Sequence, residues 1–253
     1  MGSTAARVET VKRPFVRRIM ALSPRHSLWE VWSDFITMFA CALSNRFDRA
    51  HFEKREALYK RLIMKYDDKE RMVFPELVAD VVTAFEENPE QDFLGSVYME
   101  MNLGNDHAGQ FFTPYDVCRL MASIGGQGTS LQVVQNGHTV LNDCACGAGA
   151  TLIAACHEAG RQLALFGRNW QNHVLVTAQD IDFNVGLMCY IQLSLIGAAG
   201  YVKIGDTIAD PMRTGDSNEN YWYTPMYFSD VWQMRRICQR VEALTGERKD
   251  DSK

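Results

Sequence analysis

The sequence predicts an α/β fold, in which a parallel sheet with helices between its strands follows a separate helical region. From residue 139 onward, short apolar strands alternate with longer helical patterns, as in β-α-β units with right-handed crossovers. Between residues 27 and 104, apolar residues instead recur at the three- and four-residue steps of helices. A turn of small residues, from Asp143 to Ala150, joins the first strand to its helix. Such a turn predicts a ligand pocket at the carboxyl end of that strand.

Residues 1–26 form a basic segment, which we expect to be a solvated, partly disordered arm. Its basic residues are Arg7, Lys12, Arg13, Arg17, Arg18 and Arg25, and they are opposed only by Glu9. Residues 27–104 follow as the helical region, where Val31, Trp32 and Phe35 belong to one apolar helix face. The aromatic residues and methionines of this region are expected to form a core rather than a ligand site.

The composition limits the kind of nucleic-acid binding that the chain can support. Its formal net charge is −5 at pH 7, whereas proteins that coat DNA without sequence preference are basic. Any such contact should therefore be local, at the basic segment, or supplied by a partner. The seven cysteines are odd in number and scattered, which favours reduced thiols in a cytoplasm. No apolar run reaches the length of a membrane span, about 18 residues.

The α/β region is expected to cover residues 105–253. Pro114 restricts the residue before it to extended geometry, so residues 109–114 are predicted to be a loop that leads into a helix. Three strands then follow, with the sequences TVLNDCA, HVLVTAQDI and YVKIGDT, and the first two are each succeeded by an apolar helix. A last strand, NYWYTPMYF, is expected to precede a charged C-terminal helix.

Acidic residues end three successive predicted strands. They are Asp143, Asp180 with Asp182 beside it, and Asp206. Each alone could cap a helix or a turn, but the carboxyl ends of parallel strands meet at one edge and can share a ligand. Carboxylates accept hydrogen bonds from hydroxyls and amines, which S-adenosylmethionine offers in its ribose and its adenine. The turn is neither a dinucleotide fingerprint, because Leu152 replaces the third glycine, nor a P-loop.

Residues 104–210 resemble the core of adenine-N6 DNA methyltransferases, in particular the methylation subunits of type I restriction–modification systems. Four stretches carry the resemblance. They are GQFFTP at 109–114, DCACGAG at 143–149, AQDID at 178–182 and GDTIADP at 205–211. The resemblance implies a Rossmann-like S-adenosylmethionine-dependent methyltransferase fold, here with an apparently shortened sheet. The helical region also resembles the helical domain that those subunits carry before the cofactor loop.

The resemblance further implies that S-adenosylmethionine is the cofactor and identifies the residues that bind it. They are Phe111, Thr113, Pro114, Asp143, Gly147, Gly149, Asp180 and Asp206. The first three would line the methionine end, and the turn of Asp143 and the two glycines would lie beneath the cofactor. Asp180 would hold the ribose and Asp206 the adenine amine. No metal site is expected, because the nearby cysteines do not follow C-x-x-C spacing.

The family's catalytic motif, N-P-P-[FY] at the end of the fourth strand, is absent from the chain. Its asparagine accepts hydrogen bonds from the adenine amine, and its aromatic ring stacks on the flipped base. Thr224-Pro225-Met226-Tyr227 stands at the corresponding spacing, so Thr224, Pro225 and Tyr227 are the predicted catalytic residues. A threonine hydroxyl has a shorter reach than an asparagine amide. Loss of one well-placed hydrogen-bonding group typically lowers the rate by on the order of a hundredfold.

Three functions remain open on the sequence. The first is adenine-N6 methylation of duplex DNA with base flipping, in a restriction–modification or phage and prophage setting. The second is a catalytically weak or inactive module that binds the cofactor and a protein partner. The third is methyl transfer to RNA or protein. Since no target-recognition domain is evident, the choice of a DNA sequence would require a specificity subunit or a homodimer.

Overall fold

The computed structural model describes residues 4–103 and 112–245. The helices of the N-terminal half are α1 Thr4–Leu22, α2 Leu28–Asn45, α3 Phe52–Ile63, α4 Asp68–Arg71, α5 Val73–Glu87 and α6 Phe93–Glu100. Those of the C-terminal half are α7 Tyr115–Gly125, α8 Thr129–Asn136, α9 Ala150–Ala164, α10 Phe183–Leu195 and α11 Asp230–Thr245. The strands are β1 Thr139–Asp143, β2 Val174–Asp180, β3 Ala199–Ile204 and β4 Tyr221–Tyr223. The predicted mixture of an α/β sheet with preceding helices is confirmed.

The four strands form one sheet in the order β1-β2-β3-β4, so β1 is an edge strand. The pairs β1–β2 and β2–β3 are parallel, as predicted from the alternation of strands and helices. In contrast, β4 pairs with β3 antiparallel. A parallel return generally requires a crossover, usually a helix, and residues 205–220 contain none.

The predicted last strand, NYWYTPMYF, is therefore wrong in extent and in direction. Only Tyr221–Tyr223 forms strand, and a 3-10 helix begins at Pro225 and ends at Phe228. Proline lacks the N–H that a strand ladder needs, which explains why the strand stops before it. The end of β4 consequently points to the opposite edge of the sheet from the ends of β1 and β2.

One face of the sheet packs into the core, together with residues of α9 and α10. Val176, Ala178 and Val202 on this face are fully buried. The alternate residues point to the other face, where Val140 of β1 is 50% exposed and Asn142 is exposed too. All-parallel sheets are normally covered by helices on both faces, so the exposure of β1 is unusual.

The N-terminal segment is not the solvated arm that its charge suggested. It contributes α1, in which Phe15 and Ile19 are fully buried and the ring of Phe15 meets Trp32, Phe35 and Phe93 edge-on. Next to them on the helix, Arg18 forms ion pairs with Glu76 and Asp80 of α5. Apolar residues at helical spacing thus outweigh the basic charges between them.

The hydrophobic core runs without a break from α1 to the sheet. The main link is α10, which is buried from Asn184 to Leu193 and packs against α2 as well as against β3. The helical region therefore acts as a wall that holds the sheet and its loops in place. Within the described residues, no helix has both the length and the apolar character that a membrane crossing requires.

Candidate functional site

A cleft of about 280 Å³ opens at the carboxyl ends of β1 and β2. Its walls come from α6, the loop before α7, the turn after β1, and the starts of α9 and α10. Among the residues predicted to bind a cofactor, Thr113, Asp143, Gly147 and Asp180 line it. The predicted residue Phe111 lies outside the described residues, and its neighbour Phe112 lines the cleft.

The turn after β1 approaches its surroundings so closely that two positions favour glycine. Gly147 has φ +54° and Gly149 has φ +96°, both in the left-handed region that side chains rarely adopt. A Cβ on Gly149 would lie 2.9 Å from Sγ of Cys189 in α10. A Cβ on Gly147 would lie 3.4 Å from the ring of Phe112, across the cleft wall. Gly149 thus allows the turn to pack closely against α10, while Gly147 forms part of the cleft wall.

Asp180 ends β2 and is held by backbone N–H groups. Its Oδ2 accepts from the N–H of Gly147 at 2.8 Å, and its Oδ1 accepts from the N–H of Asp182 at 3.0 Å. Burial raises the pKa of the Asp180 carboxyl above its usual range. A carboxylate has about four lone-pair sites, so each oxygen retains capacity for a ligand hydroxyl.

Asp143 ends β1 and is fixed by the turn that follows it. It accepts from the N–H of Ala145 at 3.1 Å and from the hydroxyl of Thr151 in the first turn of α9. Thr151 also lines the cleft, although the sequence had not marked it as a site residue. The sequence does place Thr151 in the first turn of the helix that follows the glycine turn, and a residue at that position is expected near the ligand.

Asp92 is a second site residue that the sequence had not indicated. It caps α6 through the N–H of Gly95 at 2.9 Å, and it lines the cleft together with the glycine turn. Burial raises the pKa of its carboxyl. The sequence shows an aspartate before a helical pattern, which indicates a helix cap. It does not show that this aspartate lies in the cleft at the end of β1.

Gln192 of α10 connects Asp92 to the glycine turn and is fully buried. Its Nε2 donates to Oδ1 of Asp92 and to the carbonyl oxygen of Ala148, each at 2.8 Å. Its Oε1 accepts from the N–H of Leu94 at 3.0 Å. One side chain thereby sets the relative positions of α6, α10 and the turn.

Replacing Gln192 with leucine should lower the free energy of unfolding by about 3 kcal/mol, because buried polar partners would lose their hydrogen bonds. Urea denaturation followed by circular dichroism measures this difference. Gln135→Leu is the matched control, since Gln135 is exposed on α8 and should change the free energy by less than about 0.5 kcal/mol. Equal stability of the two variants would contradict the bridging role.

Asp206 follows β3 at the same edge of the sheet but does not line the cleft. Its Oδ1 accepts from the N–H groups of Ile208 at 2.8 Å and Ala209 at 3.3 Å, which closes a turn. The neighbouring Thr207 hydroxyl donates to the carbonyl oxygen of Cys144 at 2.6 Å. The loop after β3 is thus fastened to the glycine turn, with Asp206 half-buried beside it. Of the other predicted residues, Pro114 precedes α7 and is exposed.

The structure does not bring the predicted catalytic residues to the cleft. Thr224 is fully buried, and its hydroxyl donates to the carbonyl oxygen of Ala198 at 2.7 Å and accepts from the N–H of Gly200 at 3.0 Å. Both partners lie at the start of β3, the opposite edge from Asp143 and Asp180. The antiparallel direction of β4 is the physical reason for this displacement from the predicted position.

Pro225 and Tyr227 follow Thr224 to that same edge. Pro225 begins the short 3-10 helix, and the ring of Tyr227 lies 4.8 Å from the ring of Tyr223. The guanidinium of Arg236 lies 3.9 Å from the centre of the Tyr227 ring. These contacts pack the ring against other parts of the chain, away from the cleft.

Comparison with known protein families identifies a match for most of the chain. A family model described as N-6 DNA methylase matches residues 90–248, which include every residue that lines the cleft. No curated protein matches the chain. The matched segment begins just before Asp92 and extends through the four strands.

Proposed function

The chain belongs to the N-6 DNA methylase family, and we propose that it binds S-adenosylmethionine in the cleft at the ends of β1 and β2. Asp180 is the observation that carries this proposal. Its carboxylate is fixed by two backbone N–H groups and keeps lone pairs directed to a cleft that it lines. A ribose diol supplies two hydroxyl donors that match this acceptor.

The rest of the cleft fits the same molecule. Gly147 leaves open a space that a Cβ would narrow to 3.4 Å from the Phe112 ring, so a ligand can lie against the backbone there. We assign the methionine end to the side of Thr113. The resemblance gives Phe111 the same role, and it gives the adenine amine to Asp206, which follows β3 at the same edge of the sheet. When bound, the cofactor supplies an electrophilic methyl group. The protein's own contribution is to orient the ribose through Asp180 and to exclude water along the turn.

We further propose DNA adenine as the methyl acceptor, with a specificity subunit or a second copy of the chain choosing the sequence. This reaction needs a group that accepts hydrogen bonds from the adenine amine. The described residues that line the cleft include no asparagine, but they do include the carboxylates of Asp92 and Asp143. A carboxylate accepts hydrogen bonds as an amide oxygen does, so these two acids are the candidates on the chain's own side.

The position of Thr224 favours a second candidate function, a module that binds the cofactor with little or no turnover. Its hydroxyl is fully engaged with the backbone at the far edge of the sheet. In this function the bound cofactor would stabilise the turn and α9, and a protein partner would use the assembled surface. A restriction–modification or phage setting is compatible with both candidates.

Two measurements on one preparation separate these candidates. Isothermal titration calorimetry with S-adenosylmethionine and S-adenosylhomocysteine should show binding at one site per chain. Mass spectrometry of nucleosides from DNA incubated with protein and cofactor then reports N6-methyladenine. Binding with methylation supports the enzyme, and binding without it supports the module. Absence of binding of both compounds would overturn the proposal.

A further inference from the structure

A second pocket, of about 450 Å³, lies between α3 and the strands β3 and β4. It shares no lining residue with the cleft. The first turn of α10 separates the two, because Val185 faces the cleft while Phe183 faces the pocket. This volume falls within the range of small-molecule sites, about 300–1,000 Å³.

One wall of the pocket is a stripe of α3 that carries two exposed cations. Lys54 and Arg61 are seven residues apart, so they lie on the same helix face about 10.5 Å from each other along the axis. Neither forms an ion pair with any described residue, whereas Lys60 on another face of α3 is paired with Glu56. Leu58 lies between the two cations and lines the same wall. The wall therefore offers positive charge at both ends of an apolar surface.

The opposite wall is apolar and preformed, because contacts within the chain hold its side chains in place. It is formed by Phe183, Ile204 and Trp222, with the Trp222 ring meeting Phe183 edge-on at 6.4 Å. The guanidinium of Arg55 lies 3.9 Å from the centre of the Trp222 ring and also bonds to Asp48 at 2.8 Å and to the carbonyl oxygen of Tyr221 at 2.6 Å. Because Asp48 neutralises it, Arg55 fixes the ring rather than offering a free charge.

Two polar residues complete the pocket at the β4 side. The side-chain amide of Asn220 makes no hydrogen bond to another described residue, so it can pair with a ligand edge. Glu219 is the one acidic residue among the described lining residues, against the two cations Lys54 and Arg61, since Arg55 is neutralised by Asp48. The pocket thus combines an apolar slot, one free amide and an excess of positive charge.

We propose that this second pocket binds a nucleoside phosphate, either free or as one unit of a DNA strand. A nucleobase is flat and apolar on its faces and polar at its edge, which suits the slot between Leu58 and the exposed ring of Phe183, with the amide of Asn220 at its edge. Arginine binds phosphate through its planar fork of N–H donors, and lysine binds it as a point charge. The phosphate would bind Lys54 or Arg61, at one end of the apolar surface, and a strand could bind both.

The test compares two probes on the full chain, dAMP and a fluorescein-labelled single-stranded oligodeoxynucleotide of adenines. Calorimetry measures the first and fluorescence anisotropy the second. The double variant Lys54→Glu, Arg61→Glu should have at least tenfold lower affinity for whichever probe binds the parent protein. The control is Lys69→Glu, Arg240→Glu, which changes the net charge equally at two exposed positions elsewhere and should change binding by less than twofold.

The outcomes distinguish this pocket from the cleft. Binding of dAMP identifies a free nucleotide as the ligand, and binding of the oligonucleotide alone identifies a strand. Affinity for S-adenosylhomocysteine should be the same in both double variants. A parallel loss of that affinity would mean that the pocket holds the adenosine of the cofactor, and the proposal would fail. The proposal would also fail if neither probe bound at millimolar concentration. It would fail too if the two double variants lost equal affinity for the probe.

Discussion

Replacing Asp180 with asparagine is expected to weaken the binding of S-adenosylhomocysteine by about tenfold or more. The carboxylate now accepts from the N–H groups of Gly147 and Asp182 and retains capacity for a ribose. An amide has a single acceptor oxygen, so its NH₂ would have to face one of these donors. A hydrogen bond to a charged group contributes roughly 1.5–3 kcal/mol, which corresponds to a change of about ten- to a hundredfold in affinity.

The effect should appear in affinity rather than in folding. Burial raises the pKa of Asp180, so its ionised form is less favourable in the folded chain than in the unfolded chain, and a neutral side chain removes that penalty. Calorimetry of the variant is therefore informative if its unfolding midpoint stays near that of the parent. Asp182→Asn is the matched control, because asparagine caps a helix as well as aspartate and Asp182 caps α10. Unchanged affinity in Asp180→Asn would remove the assignment of this residue to the ribose.

Replacing Gly200 with alanine is expected to cause the largest loss of stability of any small substitution in the sheet. A Cβ at this position would lie 2.0 Å from the carbonyl oxygen of Val176 and 2.8 Å from its carbonyl carbon. These are backbone atoms of β2, so no rotamer change can relieve the overlap, and the two strands would have to separate. We expect a loss of about 3 kcal/mol, or about 10 °C in Tm for a chain of this size.

Gly125→Ala provides the contrasting substitution. Gly125 ends α7 without a positive φ, and a Cβ there would meet nothing within 4 Å. Stability should be unchanged or should rise by about 0.4–1 kcal/mol, because alanine restricts the unfolded chain. Differential scanning calorimetry of both variants measures the comparison. A Gly200→Ala protein as stable as Gly125→Ala would show that the β2–β3 pairing is looser than described.

Local patterns were sufficient to predict the strands β1 to β3, the helices between them and the glycine turn. Each is specified by residues adjacent in the chain, such as the run of small residues after Asp143. The direction of β4 depends instead on distant partners. Arg55 binds the carbonyl oxygen of Tyr221, and Lys203 pairs with Asp210 and Asp216 in the preceding loop. No local alternation of residues reveals those contacts.

The candidate site divides in the same way. Asp143 and Asp180 could be predicted because strand ends of a parallel sheet converge. The link from Gln192 to Asp92 joins residues 100 positions apart, so no local pattern indicates it. In the N-terminal segment the basic charges predict a solvated arm, whereas the four-residue spacing of Phe15 and Ile19 is that of the buried helix face observed. Thr224 stands at the spacing of the family's catalytic motif. Its position in space depends on the direction of β4, which places it at the opposite edge of the sheet from the cleft.

The uncovered strand β1 has a consequence for how the molecule meets other chains. Its outer backbone groups have no strand partner among the described residues, and the exposed side chain of Val140 adds an apolar surface to them. Such a border is a template on which a foreign polypeptide can continue the ladder of hydrogen bonds. A segment added in parallel there would end beside Asp143, so assembly through this border would change access to the cleft.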